Sequence, residues 1–240
     1  MPKHILLLSA FFCRAIGLFA QYEDPIFSKP VSGYGADGNY AVEVTTFPSP
    51  DFPGENIEIF APGGVTTAVP TLFFAHGFGG TFSNYVGGML EYVAKKGYAI
   101  VFVPYPTTGS SIVERYDILL SGFRQAARDY PNIIDTTQVG FMGHSFGGGA
   151  LFGVAYRCFT ENNWGENGRF LFSLAPWYAY KLTQTQLQSF PADTKLIMQV
   201  YDDDSVNDHR MAIDIFNNIN ISTEEKDFIL VKSDTLPGHI

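Results

Sequence analysis

The stretch Val139-Gly140-Phe141-Met142-Gly143-His144-Ser145-Phe146-Gly147-Gly148-Gly149-Ala150 constrains this chain more than any other. An apolar run that reads as a strand ends in Gly-x-Ser-x-Gly, and a helix-compatible run, Leu151 to Arg157, follows directly. A strand that turns into a helix within so few residues forces its central residue into strained backbone angles. Gly143 and Gly147 lack the Cβ atoms that would collide in that turn. Ser145 is therefore expected to stand above a sheet edge at a helix N-terminus. Backbone N–H groups there face any negative charge that develops nearby.

The rest of the chain supplies the sheet. Tyr40 to Phe47 and Asn56 to Phe60 alternate polar and apolar residues and predict two short strands at an antiparallel edge. Beyond Pro62-Gly63-Gly64 the pattern changes. Thr71–Ala75 and Tyr98–Val103 are continuous apolar runs, as expected of strands covered on both faces. Gln138–Met142, Phe170–Leu174, Lys195–Val200 and Asp227–Val231 read as further strands. Helices are predicted over Asn84–Lys96, Ile112–Tyr130 and Met211–Asn218, the first stopped by Gly97 and the second by Pro131. Strand and helix alternate, so the fold class is α/β, with a mainly parallel central sheet and helices on both faces. Residues 21–39 are rich in Pro, Gly, Ser and Asp and read as an extended lead-in.

The 240 residues suffice for one sizeable core and are too few for two ordinary α/β domains. Residues 1–20 read as a signal peptide: Lys3 and His4, the apolar run Ile5–Phe12, then a cleavage point at Ala20-Gln21. The run is too short and interrupted to span a bilayer, and the bulk of Phe11 and Phe12 before Cys13 argues against lipidation. Residues 21–240 are expected to form a single domain, its C-terminus being a possible truncation point. Export of the mature chain to the periplasm or the exterior follows. Loss of Lys3 and Arg14 with the signal takes the formal charge from −9 to −11. So acidic a protein repels nucleic-acid phosphates, and neutral substrates suit it better. Cys158 is left alone and reads as a packing residue.

Ligands of such sheets collect at the carboxyl ends of the strands. Four stretches end there. His76-Gly77-Phe78-Gly79-Gly80 follows the strand ending at Ala75, and the N–H of Phe78 is expected to form one half of an oxyanion hole, with that of Phe146 as the other. His76 itself reads as a structural loop residue. Ser145 is the candidate nucleophile, and it needs a base. His144 is adjacent, but an elbow points neighbouring side chains apart. Asp202-Asp203-Asp204 follows the strand ending at Val200. One carboxylate suffices to orient an imidazole; Asp204 is favoured, Asp203 second, with a helix N-cap or a weak calcium site as other uses of the cluster. The fourth is Pro237-Gly238-His239. His209 is expected to lie on a helix, so His239 remains as the base, in the chain order Ser, Asp, His. As the penultimate residue it needs a terminus that docks, or a true base further along a longer chain.

These residues together resemble α/β-hydrolases. More narrowly, the chain is similar to bacterial cutinases and polyester hydrolases, with dienelactone hydrolases as cousins, over roughly residues 40–240. Gly143–Gly149 resembles that group's elbow, with Phe146 where Met is common. Ala175-Pro176-Trp177 resembles its Thr-Pro-Trp segment, which implies that Trp177 flanks bound substrate. Tyr201-Asp202-Asp203-Asp204 resembles the acid turn, and His76-Gly77-Phe78 the oxyanion turn. The helix after the histidine and a terminal disulfide are absent, and the stretch before His239 is longer; simple ester hydrolysis is therefore better supported than polyester cleavage. Read without the resemblance, Trp177, Trp164, Phe172, Tyr178 and Tyr180 are mostly core and rim; with it, they suggest an aromatic-lined acyl cleft.

The resemblance implies a secreted serine carboxylester hydrolase with a Ser145–His239–Asp204 triad, an acyl-enzyme, and neither metal nor cofactor. Its expected partner is a small-molecule or polymeric ester, with no nucleic acid and no membrane span, and the chain is expected to be monomeric. Two alternatives stay open. One is a non-catalytic binding homologue that has lost its base; the other is a peptidase or acyltransferase on the same fold.

Overall fold

The computed structural model describes residues 30–178 and 181–232. The described residues fall into two units divided after Ala36. Residues 30–36 carry only bends and a turn, closed by the Ala36 N–H on the carbonyl of Gly33. The predicted signal lies outside the described residues, as do Tyr180 and His239.

From Asp37 onward the chain builds one eight-stranded sheet. Its strands are β1 (Val42–Pro48), β2 (Asn56–Pro62), β3 (Val69–Ala75), β4 (Ala99–Phe102), β5 (Ile134–His144), β6 (Gly168–Leu174), β7 (Thr194–Tyr201) and β8 (Lys226–Val231). Their spatial order is β1-β2-β4-β3-β5-β6-β7-β8. The β1–β2 and β2–β4 pairs are antiparallel, and every other pair is parallel. The helices are α1 (Gly87–Lys95), α2 (Ile112–Asp129), α3 (Phe146–Glu161), α4 (Gln184–Gln188) and α5 (Arg210–Asn218).

Side chains alternate across a strand, so the central strands feed two cores. Phe73 and Ala75 of β3, with Ala99 and Val101 of β4, join a large cluster that includes Leu119 and Phe123 of α2 and Leu151 and Phe152 of α3. Phe74, Ile100 and Phe102 point the other way, where Leu90 and Ala94 of α1 cover them. Helices therefore lie on both faces. In the larger core Phe73 packs on Phe141 (ring centres 5.3 Å) and Trp164 (4.9 Å), which also meet each other (6.4 Å). Burial of each such ring contributes about 1.5–3 kcal/mol. Helix α2 starts where it does because Ser111 and Glu114 form a capping box. The Ser111 hydroxyl accepts from the Glu114 N–H, and the Ser111 N–H donates to the Glu114 carboxylate, which these bonds hold below its usual pKa.

Register then sets the site. Ala75 of β3 pairs with Gly143 of β5, His144 with Leu174 of β6, and Leu174 with Gln199 of β7. The ends of four adjacent parallel strands are thus level. The loops that leave them, at 76–80, 145, 175–178 and 202–208, meet at one edge.

Candidate active site

Ser145 sits between β5 and α3 with φ 54° and ψ −118°. Such angles cost a non-glycine residue about 1–3 kcal/mol and persist only where neighbours fix them. Here they do. The Ser145 N–H donates to the carbonyl of Leu174 (3.0 Å), and its own carbonyl accepts from the N–H groups of Trp177 (3.0 Å) and Gly149 (3.1 Å). The two motif glycines are required by close approach. A Cβ on Gly143 would strike the backbone of Gly147, and a Cβ on Gly147 would strike the carbonyl of Ala75.

The loop after β3 lies against this turn. The Gly147 N–H donates to the carbonyl of His76 (3.2 Å). A Cβ on Gly77 would lie 3.2 Å from that of Ser145 and 2.7 Å from Nδ1 of His144. Phe78 follows with its ring exposed, whereas the Phe146 ring is buried. The guanidinium of Arg115 lies 5.9 Å from both ring centres, over the two residues whose N–H groups were expected to act together.

His76 is a structural residue. It is 1% exposed; its Nδ1 faces the Gly77 carbonyl (2.7 Å), and its Nε2 accepts from the Tyr105 N–H (3.2 Å). Burial pushes its pKa down to about 4, against a smaller upward pull from the Gly77 hydrogen bond. His144 is exposed; desolvation of its ring lowers its pKa, and the charge of Asp204 pulls it upward. Cys158 is fully buried, and burial pushes its thiol up to about 12, far from a nucleophile's range.

In the acid loop, Asp202 and Asp203 are exposed and Asp204 is half-buried. One oxygen of Asp204 accepts from the N–H groups of Val206 and Asn207, each at 2.8 Å. That closes the turn. The side chain of Asn207, buried beneath it, donates from Nδ2 to the carbonyl of Ala175 (2.9 Å) and, at a longer 3.4 Å, to Oγ of Ser145. Among the described residues no imidazole bonds Ser145 Oγ, and His239 lies outside them. His209 is the N-cap residue of α5.

Trp177 is half-buried; its N–H holds the elbow carbonyl, and its ring lies 6.3 Å from that of Phe146 and 5.4 Å from that of Tyr178. Tyr178 is exposed beside it. Two other aromatics do not belong to this edge. Trp164 is buried on Phe73 and Phe141, and Phe172 packs on the opposite face of the sheet. Phe172 is sent there by side-chain alternation along β6, whereas Trp164 lies in the turn before that strand.

The structure thus brings Ser145, the Phe78 loop, Phe146, Trp177 and Asp204 to one edge. Asn207 is the residue that sequence reasoning passed over. Its spacing of three from Asp204 is that of a side chain closing a turn onto a backbone N–H, the only local signal available. Among the described residues no group of three or more His, Cys, Asp or Glu could hold a metal ion, and no helix is long and apolar enough to cross a membrane. Comparison with known proteins returned no match, either to a protein-family model or to a curated protein.

Proposed function

We propose that this chain is a secreted serine carboxylester hydrolase of the α/β-hydrolase type, similar to cutinases and polyester hydrolases. The observation that carries the reading is the backbone of Ser145, φ 54° and ψ −118° between a central strand and a helix. A serine is held in such a conformation, with three backbone hydrogen bonds enforcing it, where its hydroxyl has to project. The loop carrying Phe78 beside it supports the same reading.

In the proposed reaction Ser145 Oγ attacks the acyl carbon while His239 takes its proton. Asp204 orients the imidazole and stabilises its charged form. The N–H groups of Phe78 and Phe146 donate to the oxyanion, each worth about two to three powers of ten in rate. The C–O bond to the alcohol breaks as His239 returns the proton to it. Water, activated by the same imidazole, then cleaves the acyl-enzyme. Trp177 walls the acyl side.

The test pairs a fluorophosphonate label with short p-nitrophenyl esters. The parent labels once, at Ser145, and hydrolyses the esters; Ser145→Ala does neither. A folded parent that neither labels nor hydrolyses would make the chain a binding protein on a hydrolase-like scaffold. Labelling with turnover of amides in preference to esters would make it a peptidase.

A further inference from the structure

Asn207 carries an assignment of its own. Its nitrogen end is fixed by chemistry, because the Ala175 carbonyl 2.9 Å away can only accept. A flipped amide would set two acceptors against each other. The second N–H of Nδ2 is therefore the one that faces Ser145 Oγ. Its oxygen, Oδ1, is buried with no hydrogen-bond partner among the described residues, and the residue is only 6% exposed. A buried amide with an unpaired acceptor is a poor choice for packing alone. The carbonyl it meets belongs to Ala175, another non-glycine residue with positive φ (42°), and the N–H of Asn207 is tied to Asp204. An unpaired acceptor and two strained residues thus converge on one contact with one hydroxyl.

We propose that Asn207 is a positioning residue for Ser145, resting on the hydrolase reading: its Nδ2–H makes Oγ an acceptor on that side and so turns the hydroxyl hydrogen away, toward the base. A hydroxyl that accepts there cannot also donate there. As the proton leaves, the same N–H meets a growing negative charge, and the long bond becomes charge-assisted.

The experiment compares the parent with Asn207→Ala and the isosteric Asn207→Asp, by kcat and KM on p-nitrophenyl butyrate, fluorophosphonate labelling rate and thermal melting. At neutral pH both variants should lose kcat by about 10–100-fold, a smaller loss than a direct oxyanion donor gives, because the contact is long. KM should stay within about threefold, since no ground-state contact with substrate is removed. Burial raises the carboxyl pKa of Asn207→Asp; protonation removes a negative charge from beside Ser145 Oγ and restores one O–H donor where the amide had two N–H groups. The ratio of its rate to that of Asn207→Ala should therefore rise as pH falls. Should Asn207→Ala not fold, the ratio of Asn207→Asp to parent reads the same effect. Variants with the parent's kcat and labelling rate, or a ratio flat with pH, would overturn the assignment while leaving the hydrolase reading intact. A parent that neither labels nor hydrolyses would remove both.

Discussion

The imidazole of His76 lies flat against the phenol ring of Tyr105, ring centres 3.7 Å apart and planes 6° from parallel. The two residues are also joined head to tail. The Tyr105 N–H donates to Nε2, and its hydroxyl donates to the His76 carbonyl at 2.6 Å. The same carbonyl holds Gly147, so this pair anchors the loop of Phe78 to the elbow.

A pH dependence of stability follows. The folded pKa of His76 is about 4 against 6.5 for the free side chain. The unfolded chain therefore binds this proton first as pH falls. The contribution is present in full above about pH 6.5 and is lost progressively down to about pH 4; the difference is worth about 3 kcal/mol. Urea unfolding of the parent at several pH values in that window should show the slope. His76→Asn should be less stable above about pH 6.5 and should lack that component, so its deficit narrows as pH falls. An equal slope in the variant would assign it to other groups.

Gly147→Ala should be severe. The added Cβ meets the carbonyls of Ala75 and His76, both backbone at the end of a central strand, and neither can move without parting β3 from β5. A loss of about 3 kcal/mol or more, or failure to accumulate as soluble protein, is expected. Gly168→Ala is the control. Nothing lies within 4 Å of its added Cβ, and its effect should stay within about 0.5 kcal/mol. Melting temperatures of the two variants check this directly.

Hydrophobic patterning told strand from helix wherever burial was complete. Ala99–Phe102 is buried on both faces and reads as an unbroken apolar run. β1 and β2 were legible from polar residues at alternate positions, although β2 is covered on both faces, with Ala61 in one core and Phe60 in the other, and Val44 of β1 is exposed. Polar stretches were not legible. β5 begins at Ile134, four residues before the predicted start, because Ile134 and Asp135 pair with Val69 and Pro70 ahead of a register shift that leaves 136–138 out of the β3 ladder, a tertiary event. The α1 segment opens with a 3-10 turn at Ser83–Tyr85, so the helix starts at Gly87 and not at Asn84. α4, five residues long, carries too little periodicity to be seen. In the site, Ser145 announced itself through local backbone demand. Asn207 meets it across 62 residues of chain, which no local pattern encodes.

Stability and activity, read separately, distinguish Asp204 from Asp203 in the acid loop. Asp204 both closes the 204–207 turn and is the proposed partner of His239. Asp204→Ala removes both, and should cost about 1–2 kcal/mol of stability for the two N–H groups it leaves unpaired, together with activity. Asp204→Asn keeps an acceptor for those N–H groups. Its melting temperature should stay near the parent's while kcat falls by about four powers of ten, because the imidazole loses its charged partner and its tautomer. Asp203→Asn, at an exposed position, should leave both unchanged. A third readout needs no turnover. Asp204 pulls the His144 pKa upward against desolvation, so either Asp204 variant should lower the His144 midpoint in an NMR titration. A rate loss in Asp203→Asn with none in Asp204→Asn would move the acid to Asp203; an unmoved His144 midpoint would place Asp204 too far from the elbow to serve it.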